Sequence, residues 1–183
     1  TNDACDGGTY QTTPPSSGQV TLPASADTYL SQNNLLQNYG AGADININHR
    51  DGSRVMRTII KFDVSTLPAG ATVTNANLRL YANRDDGQYA TNVHRITNDW
   101  TESTCAAGGT NNLAANWTNR VEATTDLPWT AAGGDFDATI LASRTTFSAV
   151  NTYSDWSAAA LGTVVQNWKS GTFQNYGLLI KAT

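Results

Sequence analysis

A chain of 183 residues, 14% of them charged and with a net charge of -4, fits one domain with a core of its own. Lysine occurs only at Lys61, Lys169 and Lys181, so the clustered cations of a nucleic-acid surface are missing. No apolar run approaches the roughly 20 residues of a membrane-spanning helix, and polarity comes from Thr, Asn, Ser and Gly, which favour strands and turns.

The chain begins without an initiator methionine or an apolar signal-like run, the pattern expected of a processed, secreted form. Residues 1–17 form an N-terminal tail in which Tyr10 is the single large apolar side chain. Thr9, Tyr10, Gln11, Thr12 and Thr13 suit a strand, and Pro14-Pro15 with Ser16-Ser17 suit a linker or elbow. Residues 18–183 are expected to form the folded domain.

Strands are predicted in order, separated by turn signals. "QVTL" (19–22) opens the domain. "ADININ" (43–48) alternates, with Ile45 and Ile47 on one face. "RVMRTIIKFDV" (54–64) sets Met56, Thr58, Ile60 and Phe62 on one face, and Arg57, Ile59 and Lys61 on the other. "ATVTNANLRLYAN" (71–83) turns Leu78 and Leu80 inward and Asn77, Arg79 and Tyr81 outward. "ATNVHRI" (90–96), "DATIL" (137–141) and "NYGLLIKA" (175–182) complete the set, with Asp51-Gly52, Pro68-Ala69-Gly70, Asp86-Gly87, Gly108-Gly109 and Gly133-Gly134 as turns.

One stretch breaks the pattern. In "SDWSAAALGTVVQNWKSG" (154–171), Trp156, Ala160, Leu161, Val164, Val165 and Trp168 recur at helical spacing. Ser157 is expected to cap this helix and Gly171 to end it. The elements together predict an all-β fold: a jelly-roll-like antiparallel β-sandwich with one short helix and an extended N-terminal tail.

Cys5 and Cys105 are the two cysteines, so a single disulfide is available. Within one chain it closes a loop of about 100 residues, with a chain-entropy effect of roughly 4–5 kcal/mol. Between chains it is a covalent link in an assembly. The sequence leaves both open.

Several blocks carry a resemblance: "ADTYL", "NYGAGADINI", "RTIIKFDVSTLPAGATVTNANLRLY", "VHRITNDWTEST", "VVQNWKSG" and "NYGLLIKA", in that order. Over residues 19–183 the chain resembles the DNRLRE family of disaggregatase-related domains, some of which are carbohydrate-binding modules. The resemblance implies a secreted β-sandwich at a cell surface or beside polysaccharide-acting enzymes, with no catalysis by the module itself. It implies a packed position for Trp100, and for Trp117 as well. The tail and the loop "CAAGGTNNLAANWTNR" depart from the family pattern.

The stretch "NDWTESTCAAGG" (98–109) invites a catalytic reading through Asp99 and Glu102. A glycosidase needs opposed carboxyls about 5–5.5 or 6.5–9.5 Å apart, which a single turn supplies only by accident. The expected roles are local: Asp99 starts the turn and Glu102 accepts backbone N–H groups. His49 and His94 form no zinc spacing. No cofactor is expected. Calcium stays open as a structural ion, with Asp27, Asp44, Asp51, Asp85 and Asp86 near turns and no site placed. Trp129, Tyr153, Tyr81 and Tyr89 are the candidates for stacking on sugar rings, and Asn116-Trp117-Thr118 forms a sequon.

Two functions remain. In the first, the main expectation, the chain is a non-catalytic extracellular structural protein that assembles with other copies of itself as a filament or surface-layer subunit, its tail adding as a strand to a neighbour's sheet. In the second, it is a carbohydrate-binding module attached to surface or matrix polysaccharide.

Overall fold

The computed structural model describes residues 18–50, 54–84, 89–104, 114–121, 126–146 and 149–183. Cys5, Cys105, the tail with Thr9, Tyr10, Gln11, Thr12 and Thr13, and Asp51, Asp85 and Asp86 lie outside the described residues.

The central layer is an antiparallel sheet. β1 (Ala24–Ser31) pairs with β3 (Arg54–Phe62), and β3 pairs with β10 (Leu178–Ala182). β10 pairs in turn with β5 (Thr91–Arg95), and β5 with β8 (Ala142–Arg144). β2 (Asn48–Arg50) joins the start of β3. The last strand of the chain therefore sits at the middle of the sheet, between β3 and β5.

This sheet is buried on both faces, which explains why its strands are not cleanly alternating. Ile60, Val93, Leu178 and Ile180 point into one core, and Leu30, Ile59, Ile96 and Leu179 into a second. Arg57, Ile59 and Lys61 share the other face, as expected, and Ile59 is completely buried there. A layer of loops covers that side.

The first core is closed by a second layer. β4 (Ala76–Ala82) pairs with β9 (Thr152–Ala158), and α1 (Ala159–Lys169) follows without a break. Trp156, Leu161, Val164 and Trp168 fill the space beneath. Gly162 lets the helix approach closely, since a Cβ there would lie 2.8 Å from the Asn75 backbone. The second core is covered by β6 (Asn119–Val121), β7 (Leu127–Pro128) and loops carrying Trp100, Trp117 and Trp129.

The fold class predicted from sequence, an all-β antiparallel sandwich with one helix, is the observed one. A short 3-10 turn, Val64–Thr66, is the other helical feature among the described residues. Element boundaries differ. Residues 19–22 and 43–47 are not strands. Residues 137–141 are irregular because the Asp137 carboxylate accepts the Thr139 N–H at 2.9 Å and turns the backbone; the strand begins at Ala142.

The helical reading began too early. Trp156 and Ser157 belong to β9, paired opposite Leu78 and Asn77. Ser157 does not cap the helix; Ala158 holds the N-cap position and makes no side-chain cap bond. Gly171 does stand just past the end, at φ 74°, and donates its N–H to the Trp168 carbonyl at 3.2 Å.

Candidate functional site

The outer face of the β4–β9 ribbon gathers the polar and aromatic groups that the core rejects. In β4 the inward Leu78 and Leu80 alternate with outward Asn77, Arg79 and Tyr81, as the strand period of two requires. In β9, Tyr153 and Asp155 point to the same outer side, opposite Tyr81 and Arg79 in the ladder.

Tyr81 and Tyr153 are directly paired across the strands. Their ring centroids are 5.1 Å apart at 67°, an edge-to-face arrangement, and the residues are 53% and 57% exposed. Arg79 lies over the Tyr153 ring at 5.5 Å. Its guanidinium grips Asp155 with two bonds, Nε to Oδ1 at 2.7 Å and Nη2 to Oδ2 at 3.2 Å. Asn77 adds a third, Nδ2 to Oδ1 at 2.7 Å. The donated bonds from Arg79, then Asn77, hold the Asp155 carboxyl below the usual carboxylate range, and Asp155 raises Arg79 above its ordinary value.

The result is a small open platform: an aromatic pair at one end and a fixed, charge-neutral polar row at the other. Such a surface offers ring faces for stacking together with an amide and a guanidinium for hydroxyl groups. Tyr81 and Tyr153, both singled out from sequence, are brought together here. Asp155 was not singled out, because the neighbouring Trp156 made the segment look helical. The outward alternation of Asn77, Arg79 and Tyr81 was the available signal.

The other candidates have different surroundings. Trp129 is 4% exposed and donates its Nε1–H to the Asn116 carbonyl at 2.9 Å, so its indole has no face left for a ligand. Tyr89 is half-buried just ahead of β5, in the other sheet. Trp100 and Trp117 are core residues, as the resemblance implies. Asn116 of the sequon is fully buried, and its Oδ1 accepts the N–H groups of Thr118 and Asn119, so a glycan cannot reach it in the folded chain.

Asp99 and Glu102 are spent on structure. Asp99 accepts the Trp100 N–H at 2.9 Å and pairs with Lys61 at 2.7 Å. Lys61 also donates to the Trp100 carbonyl at 2.7 Å and lies over its ring at 4.7 Å. Glu102 accepts the Asp27 N–H at 3.0 Å, and burial pushes its carboxyl above the usual range. Asp44 accepts a bond from Asn83, and burial raises the Asp27 carboxyl. No three His, Cys, Asp or Glu residues cluster among the described residues.

No helix among the described residues is long and apolar enough to cross a membrane. The family model described as carbohydrate-binding module family 96 matches residues 18–131. That span contains Asn77, Arg79 and Tyr81 and stops short of Tyr153 and Asp155. No curated protein matches the chain.

Proposed function

The chain belongs to carbohydrate-binding module family 96, and on that premise we propose that it binds polysaccharide through the outer face of the β4–β9 ribbon. The observation that supports this surface is the exposed Tyr81–Tyr153 pair beside the Arg79–Asp155–Asn77 row. Pyranose rings would stack on the tyrosines through their C–H faces, and the Asn77 amide and Arg79 would orient hydroxyls. The ladder and the ion pair hold these groups in place before binding, which limits the ordering cost. The module acts by attachment, outside the cell, without a catalytic step of its own. On this reading the DNRLRE-like blocks are its scaffold.

Affinity electrophoresis through gels holding a panel of plant, algal and bacterial polysaccharides tests the proposal. Retardation on at least one is expected, and Tyr81→Ala or Tyr153→Ala should weaken it about tenfold, on the order of 1.4 kcal/mol. Both residues are exposed, so the variants should stay folded. Unchanged retardation of the double variant on every retaining polysaccharide sinks this surface as the site.

A second reading, assembly with other copies through the N-terminal tail, is favoured by one observation. Among the described residues β4 pairs with β9 alone, which leaves its other edge open to strand addition.

A further inference from the structure

The large sheet and the ribbon are tied strand to strand at one closed side; at the other, Asn83, just past β4, bonds Asp44 of the irregular 43–47 segment. At the closed side Arg144 of β8 donates Nη1–H to the Asp155 carbonyl of β9 at 3.1 Å, tying the large sheet to the ribbon. At the other side, β1 is the edge of the large sheet and β4 the edge of the ribbon, and no described strand joins them. The Asp27 N–H on β1 is taken by the Glu102 side chain instead of a neighbouring strand.

A cleft of about 320 Å³ lies along this seam. Leu22, Pro23, Ala24 and Asp27 form one wall and Arg79 and Leu80 the other, with Ile60 and Phe62 as the floor and Ala43 and Ile45 at the rim. Leu22, Ile45, Phe62 and Leu80 are only half-buried, so apolar surface faces the opening. A missing strand position in a sandwich has this form: an unpaired edge beside a gap over core side chains.

We propose that this seam is an acceptor groove for the strand formed by Thr9, Tyr10, Gln11, Thr12 and Thr13 of a second copy of the chain. The proposal rests on the assembly reading and supplies its acceptor site. The donor segment lies in the 17 residues outside the described domain, which enter it at Gly18. It alternates as an added strand must, with Tyr10 and Thr12 on one face and Thr9, Gln11 and Thr13 on the other. Tyr10, the one large apolar side chain of the tail, fits the apolar floor. Main-chain bonds to the open edge of β4 supply the rest of the affinity.

The occupant comes from another copy because of what lies between the donor and the domain. Pro14-Pro15 favours an extended path of about 3.1 Å per residue, which opposes the tight reversal that docking on the same domain requires. Residues 18–21 are exposed, with Val20 at 52%, so this stretch packs little against the domain. The rotation between copies decides whether the exchange closes into a dimer or ring, or grows into a filament.

Sedimentation velocity and negative-stain microscopy of the full chain, with thiol reductant so that Cys5 and Cys105 cannot link copies, test the groove. The full chain should assemble with rising concentration. Thr12→Pro removes a strand donor, and Ala43→Arg projects a long side chain into the cleft; each alone should be monomeric, with circular dichroism unchanged. Mixed in equal amounts they should form a two-copy species, because one keeps an intact strand and the other an intact groove. A full chain that assembles while Ala43→Arg assembles equally overturns the groove and leaves the assembly reading standing. A monomeric full chain overturns both, and hydrogen-exchange protection of residues 9–13 in that monomer would show the tail docked on its own domain.

Discussion

His94 is buried at 3% exposure, with its ring against Phe136 at 4.8 Å. Its Nδ1 faces two carbonyls, Asp137 at 3.0 Å and Thr139 at 3.1 Å, so the proton sits on Nδ1 and Nε2 is left as a bare acceptor. Burial, chiefly, and the nearby Lys181 charge hold its pKa below the ordinary 6.5, against the pull of the carbonyls. The imidazole is therefore neutral in the fold at pH 7 and above. Above pH 6.5 both states leave it neutral and stability is flat. As pH falls through 6.5 the unfolded chain takes up a proton that the folded chain refuses, and stability drops by at most about 1.4 kcal/mol per pH unit, until the folded pKa is reached. Urea unfolding at pH 7.5 and 5.5 should show this loss, and His94→Gln should flatten it. An equal loss in the variant would assign the effect elsewhere.

Asp135 shows a residue-scale role that composition hides. Burial opposes its charge, but the N–H groups of Thr130 and Ala131, both at 2.9 Å, and the Asn98 amide at 2.7 Å outweigh it and hold the carboxyl below its usual range. It is a loop organiser, not a candidate metal ligand by itself. Single residues of this kind are legible in sequence only as turn-forming Asp. Their partners are set by loops that come together in space.

At the scale of elements, the entry to β10 is a point of close backbone approach in the sheet. Gly177 has φ 89°, and a Cβ there would meet the Ile60 carbonyl oxygen at 2.2 Å. Its own carbonyl accepts the Ile96 N–H at 3.0 Å, linking β10 to the end of β5. Gly177→Ala should destabilise the fold by about 1–3 kcal/mol, because it combines a left-handed backbone with a backbone clash. Thermal unfolding against Gly171→Ala is the control: Gly171 also has a positive φ, at 74°, but has open space for a Cβ. Equal losses in the two variants would mean that conformation alone, and not the approach to Ile60, constrains Gly177.

The helix and its preceding strand show where element boundaries escaped the sequence. Trp156 fits the helical period of Leu161, Val164 and Trp168, and all four do enter one core. Trp156 reaches it from a strand, because residues 152–158 find seven partners in β4. Long-range pairing of that kind overrides a local period, and it also carried Asp155 to Arg79. The inward Leu78 and outward Tyr81 of β4 were legible because one face of that ribbon meets solvent, the condition for clean alternation.

For the whole molecule, chain order and spatial order are opposed. β10 comes last in the chain and lies centrally, joining β3 to β5. The large sheet therefore cannot be completed until β10 is in place, so folding depends on long-range pairing. Deleting residues 178–183 should abolish cooperative unfolding altogether, as followed by near-ultraviolet circular dichroism. A truncated chain that kept a native spectrum and a sharp transition would show that β3 and β5 can close without it.

The amino-acid pattern by itself determined the class of fold, the presence of one helix, and the outward placement of Tyr81 with Arg79 and Asn77. These depend on local period and on which side chains water accepts. Only the tertiary structure decided which aromatics are available: all five tryptophans are buried, while Tyr81 and Tyr153 meet on the surface. It alone decided that the sheet is covered on both faces and that no described strand joins β1 to β4. The physical reason is shared. Whether a side chain or a strand edge is exposed depends on what packs over it, and what packs over it comes from parts of the chain dozens of residues away.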